Sequence, residues 1–194
     1  GERGPRARVR LAFLLAAWGP ERFRAELERR LGRALARAGA DARSAAPHAD
    51  HLGFVPQRQP GLVSAGLSVA TGRVSPAQLA ELARLAGEYG TGEVRFTVGQ
   101  DAVIPNVSVQ RLDRLRSEPL LRDLPPAPSP FFRRLVACTG TDFCNLAQVE
   151  TKARAVELSR ALETRFGPDA PPVSIHWSGC PAGFGVELPR QPRF

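Results

Sequence analysis

Four stretches in the middle of the chain decide its fold. They read Gly61-Leu62-Val63-Ser64-Ala65-Gly66-Leu67-Ser68-Val69, then Ser75-Pro76-Ala77-Gln78-Leu79 running on to Tyr89-Gly90, then Glu93-Val94-Arg95-Phe96-Thr97-Val98, and Ala102-Val103-Ile104. The apolar residues Leu62, Val63, Leu67 and Val69 predict a strand over Gly61 to Val69. Ser75 followed three residues later by Gln78 is a capping box, and Pro76 suits the first helical position. Leu79, Leu82, Ala83, Leu85 and Ala86 then fall on one helical face, which Gly90 ends. Glu93 to Val98 alternates, with Val94, Phe96 and Val98 on one side. Ala102 to Ile104 reads as another short strand, and Leu112 and Leu115 sit on a further helix.

The order β-α-β-β-α is a split βαβ layout of the ferredoxin-like type, an α+β fold with helices on one side of a sheet (α/β sandwich). The expected unit covers Gly53 to Glu118, with the helix from Ser75 to Glu88 packed on the sheet carrying Val94 and Phe96. On its N-terminal side, residues 6–38 predict a helical pair. Leu11, Leu14, Leu15 and Trp18 share one face of the first helix; Pro20 opens the second, where Phe23, Leu27, Leu31 and Leu35 repeat every four residues. Gly39 to Asp50 is a linker without periodicity, and the proline-rich stretch from Pro119 to Pro130 is a second boundary. The domains expected are therefore 1–50, 51–118 and 119–194. In the last, Cys138 and Cys144 lie in a Gly/Thr/Asp turn, an amphipathic helix runs from Leu146 to Phe166, a strand covers Val173 to Trp177, and Ser178-Gly179-Cys180-Pro181 follows. No internal repeat occurs.

Composition bounds the function classes. The 194 residues are 43% hydrophobic and 24% charged, as in folded soluble chains and unlike disordered chains or membrane bundles. The 18 glycines and 18 prolines call for many loops. Net charge is +8, yet Lys152 is the sole lysine, an arginine bias of the kind GC-rich coding produces. A basic nucleic-acid-binding domain fits the charge. Against it, aromatics make up only 7%, the bases are scattered and no recognised motif occurs. The basic flank Arg8-Val9-Arg10 before Leu11 to Trp18 is too short for a membrane span, which needs about 20 residues, and lacks a small-x-small cleavage site. Absence of Met suggests a processed product or a fragment. Three cysteines, an odd number, suit a reducing cytoplasm better than a secreted scaffold.

Those cysteines carry the chemistry. Cys138 and Cys144 stand in C-x5-C spacing within Ala137-Cys138-Thr139-Gly140-Thr141-Asp142-Phe143-Cys144. Small, turn-forming residues let two thiolates converge and leave backbone N–H groups for sulfur. Cys180 follows a strand, between Gly179 and Pro181. The bland reading is three buried thiols acting as small hydrophobes. Cys138, Cys144, Cys180 and His176 could instead make a Cys3His zinc site, although C-x5-C exceeds the usual zinc spacing. An iron–sulfur cluster wants four thiolates where three are present.

The run Leu135-Val136-Ala137-Cys138-Thr139-Gly140-x-x-Phe143-Cys144-x-Leu146-Ala147-x-x-Glu150-Thr151-Lys152-Ala153-Arg154-Ala155, with His176-Trp177-Ser178-Gly179-Cys180-Pro181, resembles the siroheme and 4Fe–4S nitrite/sulfite reductases, and the ferredoxin-dependent nitrite reductases most. Gly61-Leu62, Gly72-Arg73, Gln78-Leu79, Tyr89-Gly90, Arg95-x-Thr97-x-x-Gln100 and Ile104-Pro105-Asn106-Val107 resemble that family's second ferredoxin-like half-domain. The resemblance implies a ferredoxin-like half-domain followed by the start of the siroheme and iron–sulfur domain. It implies cluster ligation by Cys138, Cys144 and Cys180, with Gln100, Ala137, Thr139 and Asp142 near the siroheme macrocycle. It further implies a cytoplasmic, monomeric enzyme that takes electrons from ferredoxin and reduces nitrite to ammonium by six electrons. Sulfite reductase or a precorrin-3B synthase-type protein is the alternative. For Arg95, Gln100 and Lys152 the alternative reading is a solvated surface group. Arg111, Arg114, Arg116, Arg122, Arg133 and Arg134 form a basic region open to siroheme carboxylates or an acidic partner.

One departure is marked. The family's fourth cysteine lies four residues after the third, where this chain has Phe184, whose ring cannot ligate iron; Ala182 replaces the family's Asn. The expectation is an inactive fragment without the family's N-terminal half, with a frameshift near Pro181.

Overall fold

The computed structural model describes residues 11–37, 50–171 and 173–180, in two compact units divided between His48 and Ala49. The first holds α1 (Leu11–Trp18) and α2 (Pro20–Leu31). Gly19, at φ 76°, turns the chain between them, and Gly32 in the left-handed region stops α2. Neither helix buries a residue completely; Leu14, Leu15 and Trp18 are half-buried while Leu11 is exposed. The expected helical span of 6–38 is thus shorter at its C-terminal end, and residues 6–10 and 38 lie outside the described residues. Exposed ion pairs at helical spacing, Glu26 with Arg29 and Arg30 at 2.7 Å, decorate α2.

The second unit opens with a four-stranded antiparallel sheet built from β1 (Gly53–Pro56), β2 (Leu62–Leu67), β3 (Arg95–Phe96) and β4 (Ala102–Ser108) in the order β1-β2-β4-β3. Helix α3 (Pro76–Tyr89) connects β2 to β3, with β4 inserted between those two strands. This is the split βαβ arrangement. The capping box forms as expected: the Gln78 amide nitrogen donates to Ser75 Oγ at 3.1 Å and the Ser75 amide to Gln78 Oε1 at 2.9 Å. Strand β1 was not anticipated, because Gly53-Phe54-Val55-Pro56 is too short and too broken by Gly and Pro to show alternation.

The apolar core alternates along the strands. Val63, Ala65 and Leu67 of β2 and Ala102, Ile104 and Val107 of β4 meet Leu82, Leu85, Ala86 and Tyr89 of α3 and Leu115 of α4 (Leu112–Arg116). The odd step from Ile104 to Val107 is a bulge: Ala65 faces Ile104 while Val63 faces Val107. Pro105 and Asn106 supply the extra residue, Asn106 at φ 60°. The Gln57 side chain satisfies that bulge, accepting from the Asn106 N–H at 2.6 Å and donating to Asn106 Oδ1 at 3.1 Å. β4 therefore runs through a proline to Ser108, beyond the expected Ile104.

Other expectations shift. Of Glu93 to Val98 only Arg95–Phe96 is strand; Val98 is fully exposed and Phe96 is 65% exposed, so α3 packs over β2 and β4 and only Val94 reaches the core. The chain turns back after Phe96, with the Thr97 N–H donating to the Asp101 C=O at 2.9 Å. The proline-rich stretch opens with α5 (Leu120–Asp123), and Leu120, Leu121 and Leu124 are buried in the same core. Beyond it, β5 (Leu135–Ala137) and β6 (Ile175–Trp177) form a parallel pair covered by α6 (Lys152–Phe166), whose Ala155 packs on Leu135 and Ala137. α6 begins at Lys152 instead of Leu146. Glu150 accepts from the Ala153 and Arg154 N–H groups at 3.0 and 3.1 Å and so fixes the start of the helix.

Two measurements check this packing. At Gly66 an added Cβ would lie 1.6 Å from the His51 carbonyl oxygen. Gly66→Ala should therefore cost roughly 3 kcal/mol or more in urea unfolding. Asp101 accepts from the Val69 N–H at 3.1 Å, and burial pushes its carboxyl from 3.8 up to about 6. Folded protein then binds more protons than unfolded protein between those two values, so stability falls as pH rises through that window. Asp101→Asn, which keeps an acceptor for Val69, should flatten that fall in pH-dependent thermal melts.

Candidate cofactor site around the cysteines

Cys138 emerges from the end of β5. Its N–H donates to the Trp177 C=O at 3.0 Å, continuing the parallel pairing of Ala137 with Trp177. Its Sγ accepts from the Gly179 N–H at 3.1 Å, and its C=O accepts from Thr151 Oγ1 at 2.6 Å. Thr151 is fully buried at the start of α6. The loop then makes a short turn over Gly140–Asp142, where the Cys144 N–H donates to the Gly140 C=O at 3.1 Å and the Ala147 N–H to the Cys144 C=O at 3.1 Å. The Gln148 N–H donates to the Gly179 C=O at 2.7 Å. The segment carrying Cys180 is thereby tied to the segment carrying Cys138 and Cys144.

The two glycines are required by contact. Gly140 sits at φ 69°, and a Cβ there would lie 2.6 Å from Thr151 Oγ1; a Cβ on Gly179 would lie 3.1 Å from Thr151 Cγ2. All three cysteines are free and partly accessible. Burial pushes the Cys138 thiol up, but N–H donation from Gly179 and Gly140, the Thr151 hydroxyl and the Lys152 charge together hold it below the ordinary thiol range. Among the described residues no three His, Cys, Asp or Glu side chains converge on one point. The N–H groups of Gly179 and Gly140 aimed at the Cys138 sulfur suit a metal-ligating thiolate at that one position. The sequence has no fourth cysteine, and Phe184 lies outside the described residues.

Of the residues expected beside the cofactor, Gln100 and Ala137 are in direct contact, while Thr139 and Asp142 lie in the short turn after Cys138. Gln100 reaches Ala137 and binds its backbone twice: Nε2 donates to the C=O at 2.8 Å and Oε1 accepts from the N–H at 3.1 Å. It is a half-buried turn residue at φ 69°, whereas the alternative reading was a solvated surface group. Asp142 is partly exposed and ion-paired to Arg73. Arg95 is exposed and pairs with Glu93 at 2.6 Å. Lys152, for which a solvated lysine was the alternative, is half-buried and donates to the Thr71 C=O. Burial, helped by Arg73, holds its ammonium below the ordinary lysine value. Sequence reasoning quoted Arg73 and Thr151 within the family likeness without giving them a role and passed over Thr71; Arg73 and Thr151 touch the loop, and Thr71 meets Lys152 at the start of α6. The basic region is largely spent internally: Arg114 pairs with Glu88, Arg116 with Asp113 and Arg133 with Asp50, and Arg111 donates to the Glu88 C=O.

Residues 55–121 match the family described as the nitrite/sulfite reductase ferredoxin-like half domain. A chloroplastic ferredoxin–nitrite reductase of Zea mays is 47% identical over 192 residues, and one from Synechococcus elongatus is 44% identical over 186; both alignments cover 95% of this chain. The solved structure of the Mycobacterium tuberculosis NirA protein superposes with a TM-score of 0.78 at 35% identity, covering 93% of this chain. The chain belongs to the nitrite/sulfite reductase family. It spans about a third of each of these relatives, 33% and 36% of the two sequences and 34% of the NirA chain. Within this reductase-family chain the half-domain match ends at residue 121, inside α5 and close to the last core leucine, Leu124. The alignments continue past it across most of the cysteine-bearing segment. No helix among the described residues is long and apolar enough to cross a membrane.

Thr151→Val tests the loop directly. It keeps the shape that Gly140 and Gly179 pack against, but leaves the Cys138 C=O without its donor. The expected loss is about 1–3 kcal/mol in denaturant unfolding, whereas Thr151→Ser, which keeps the hydroxyl, should lose less.

Proposed function

We propose that this chain supplies the ferredoxin-like half-domain and the cysteine loop of a ferredoxin-dependent nitrite reductase. What supports the reading is one observation: the segment similar to ferredoxin–nitrite reductases over 95% of the chain includes a loop whose Cys138 sulfur already receives a backbone N–H at 3.1 Å. In this reading Cys138, Cys144 and Cys180 hold a 4Fe–4S cluster. Ala137, Thr139, Asp142 and Gln100 stand beside siroheme. When bound, the two cofactors carry electrons one at a time to the site where nitrite is reduced to ammonium.

The chain's own part is to hold and shield. Backbone N–H groups of Gly140 and Gly179 favour the thiolate form of Cys138, the form that ligates metal. Arg73 holds Asp142 by an ion pair at the loop's edge. Ferredoxin as donor, nitrite as substrate, a monomeric state and a cytoplasmic location belong to the same proposal. With three thiols and no fourth cysteine in the sequence, the chain by itself is expected to reduce no nitrite. Sulfite reduction and precorrin oxidation remain the alternative chemistries for the same parts.

Anaerobic reconstitution of the intact chain with iron and sulfide checks the cofactor site. Bound iron and acid-labile sulfide should both appear, and Cys138→Ser should abolish most of the uptake. Absence of both in the unmodified chain refutes the reading, and salt-sensitive retention on DNA in their place would favour the nucleic-acid alternative.

A further inference from the structure

Three non-glycine residues among those described have positive φ: Thr71 at 58°, Gln100 at 69° and Asn106 at 60°. Such conformations are costly for side chains other than Asn or Gly and persist only where the surroundings impose them. Asn106 is accounted for by the bulge in β4. The other two are neighbours, because Gly72, beside Thr71, approaches Gln100 so closely that a Cβ would lie 3.1 Å from Gln100 Cβ. Both meet the cysteine-bearing segment. The Thr71 C=O accepts from Lys152 Nζ at the start of α6, and Gln100 spends both polar atoms of its amide on Ala137, the residue before Cys138.

The turn itself does not ask for glutamine. It closes through backbone bonds from the Thr97 N–H to the Asp101 C=O at 2.9 Å and from the Gln100 N–H to the Thr97 C=O at 3.1 Å, which glycine at position 100 would make with less strain. Glycine could not reach across to β5. There, Cys138 turns its N–H toward β6, so Ala137 turns both of its backbone groups to the opposite edge. Among the described residues no strand pairs with that edge of the two-stranded sheet. The Gln100 amide presents one donor and one acceptor in the place where a neighbouring strand would present them.

We infer that Gln100 is a positioning residue for Cys138, its side-chain amide acting as a substitute strand on the free edge of β5 and, with the Thr71–Lys152 contact, registering the cysteine loop against the ferredoxin-like sheet. The inference deepens the cofactor reading above by naming what holds Cys138 in place before any cofactor arrives.

Site-resolved amide hydrogen exchange on the intact, cofactor-free chain tests it. Gln100→Met keeps the length of the arm and removes both bonds; Gln100→Glu keeps an acceptor for the Ala137 N–H and loses the donor to its C=O. In Gln100→Met the amides of Ala137 and of Gly179, which donates to Cys138 Sγ, should exchange about ten-fold faster or more. Gln100→Glu should fall between Gln100→Met and the parent chain. The amides of Ala65 and Ile104 in the central strands should stay within about two-fold. Unchanged protection at Ala137 and Gly179 in Gln100→Met overturns the inference. So does a uniform acceleration that includes Ala65 and Ile104, which marks general loss of stability. Iron uptake by the parent chain is scored separately, so a failed cofactor reading and a failed positioning role give different results.

Discussion

A single buried hydroxyl organises the cysteine loop. Thr151 is wholly enclosed, donates to the Cys138 carbonyl at 2.6 Å, and leaves room on its flanks only for Gly140 and Gly179. An unpaired carbonyl in that position would carry its full desolvation cost, so loop, helix start and the segment after β6 adopt one arrangement together. The backbone N–H groups released by that arrangement are the ones that face Cys138 sulfur. Chemistry at the thiol is thus a by-product of satisfying a peptide oxygen thirteen residues from its donor.

Much of the fold could be read from the residues. Ser75, Pro76 and Gln78 fix the start of α3 through a local bond pattern that needs no tertiary partner, and the leucines of α3 share a face because helical spacing puts them there. What escaped were features decided by neighbours. Phe96 and Val98 alternate like buried strand residues, yet the edge position of β3 gives them nothing to pack on. Pro105 looks like the end of a strand until Gln57 is found completing the bulge. Leu146 and Val149 carry the apolar period of a helix, but Glu150 caps the next turn instead.

The candidate site shows the same division. The cysteines, Gly140 and Gly179 stand out by type and spacing. Family likeness placed Gln100 near them but not its mode of contact, because a side chain that mimics a strand leaves no periodic trace. Thr71, Arg73 and Lys152 act through one carbonyl and one ion pair between segments some seventy to eighty residues apart, a distance that no local pattern spans. The arginine excess misled in the other direction. Arg84 alone meets Glu81, Glu88 and Glu118, each at 2.6 Å, so a good part of the formal positive charge is consumed in bracing helices.

The hairpin of β1 and β2 keeps the sheet local. In the ferredoxin-like plan the fourth strand would come last, after a second helix; here the outer strand is made from the residues just ahead of β2, and every pairing in the sheet falls within residues 53–108. Contacts so near in sequence close quickly. The strand pairing of this sheet therefore needs nothing from the cysteine-bearing segment. The thiol loop is laid against a template whose register is complete in itself.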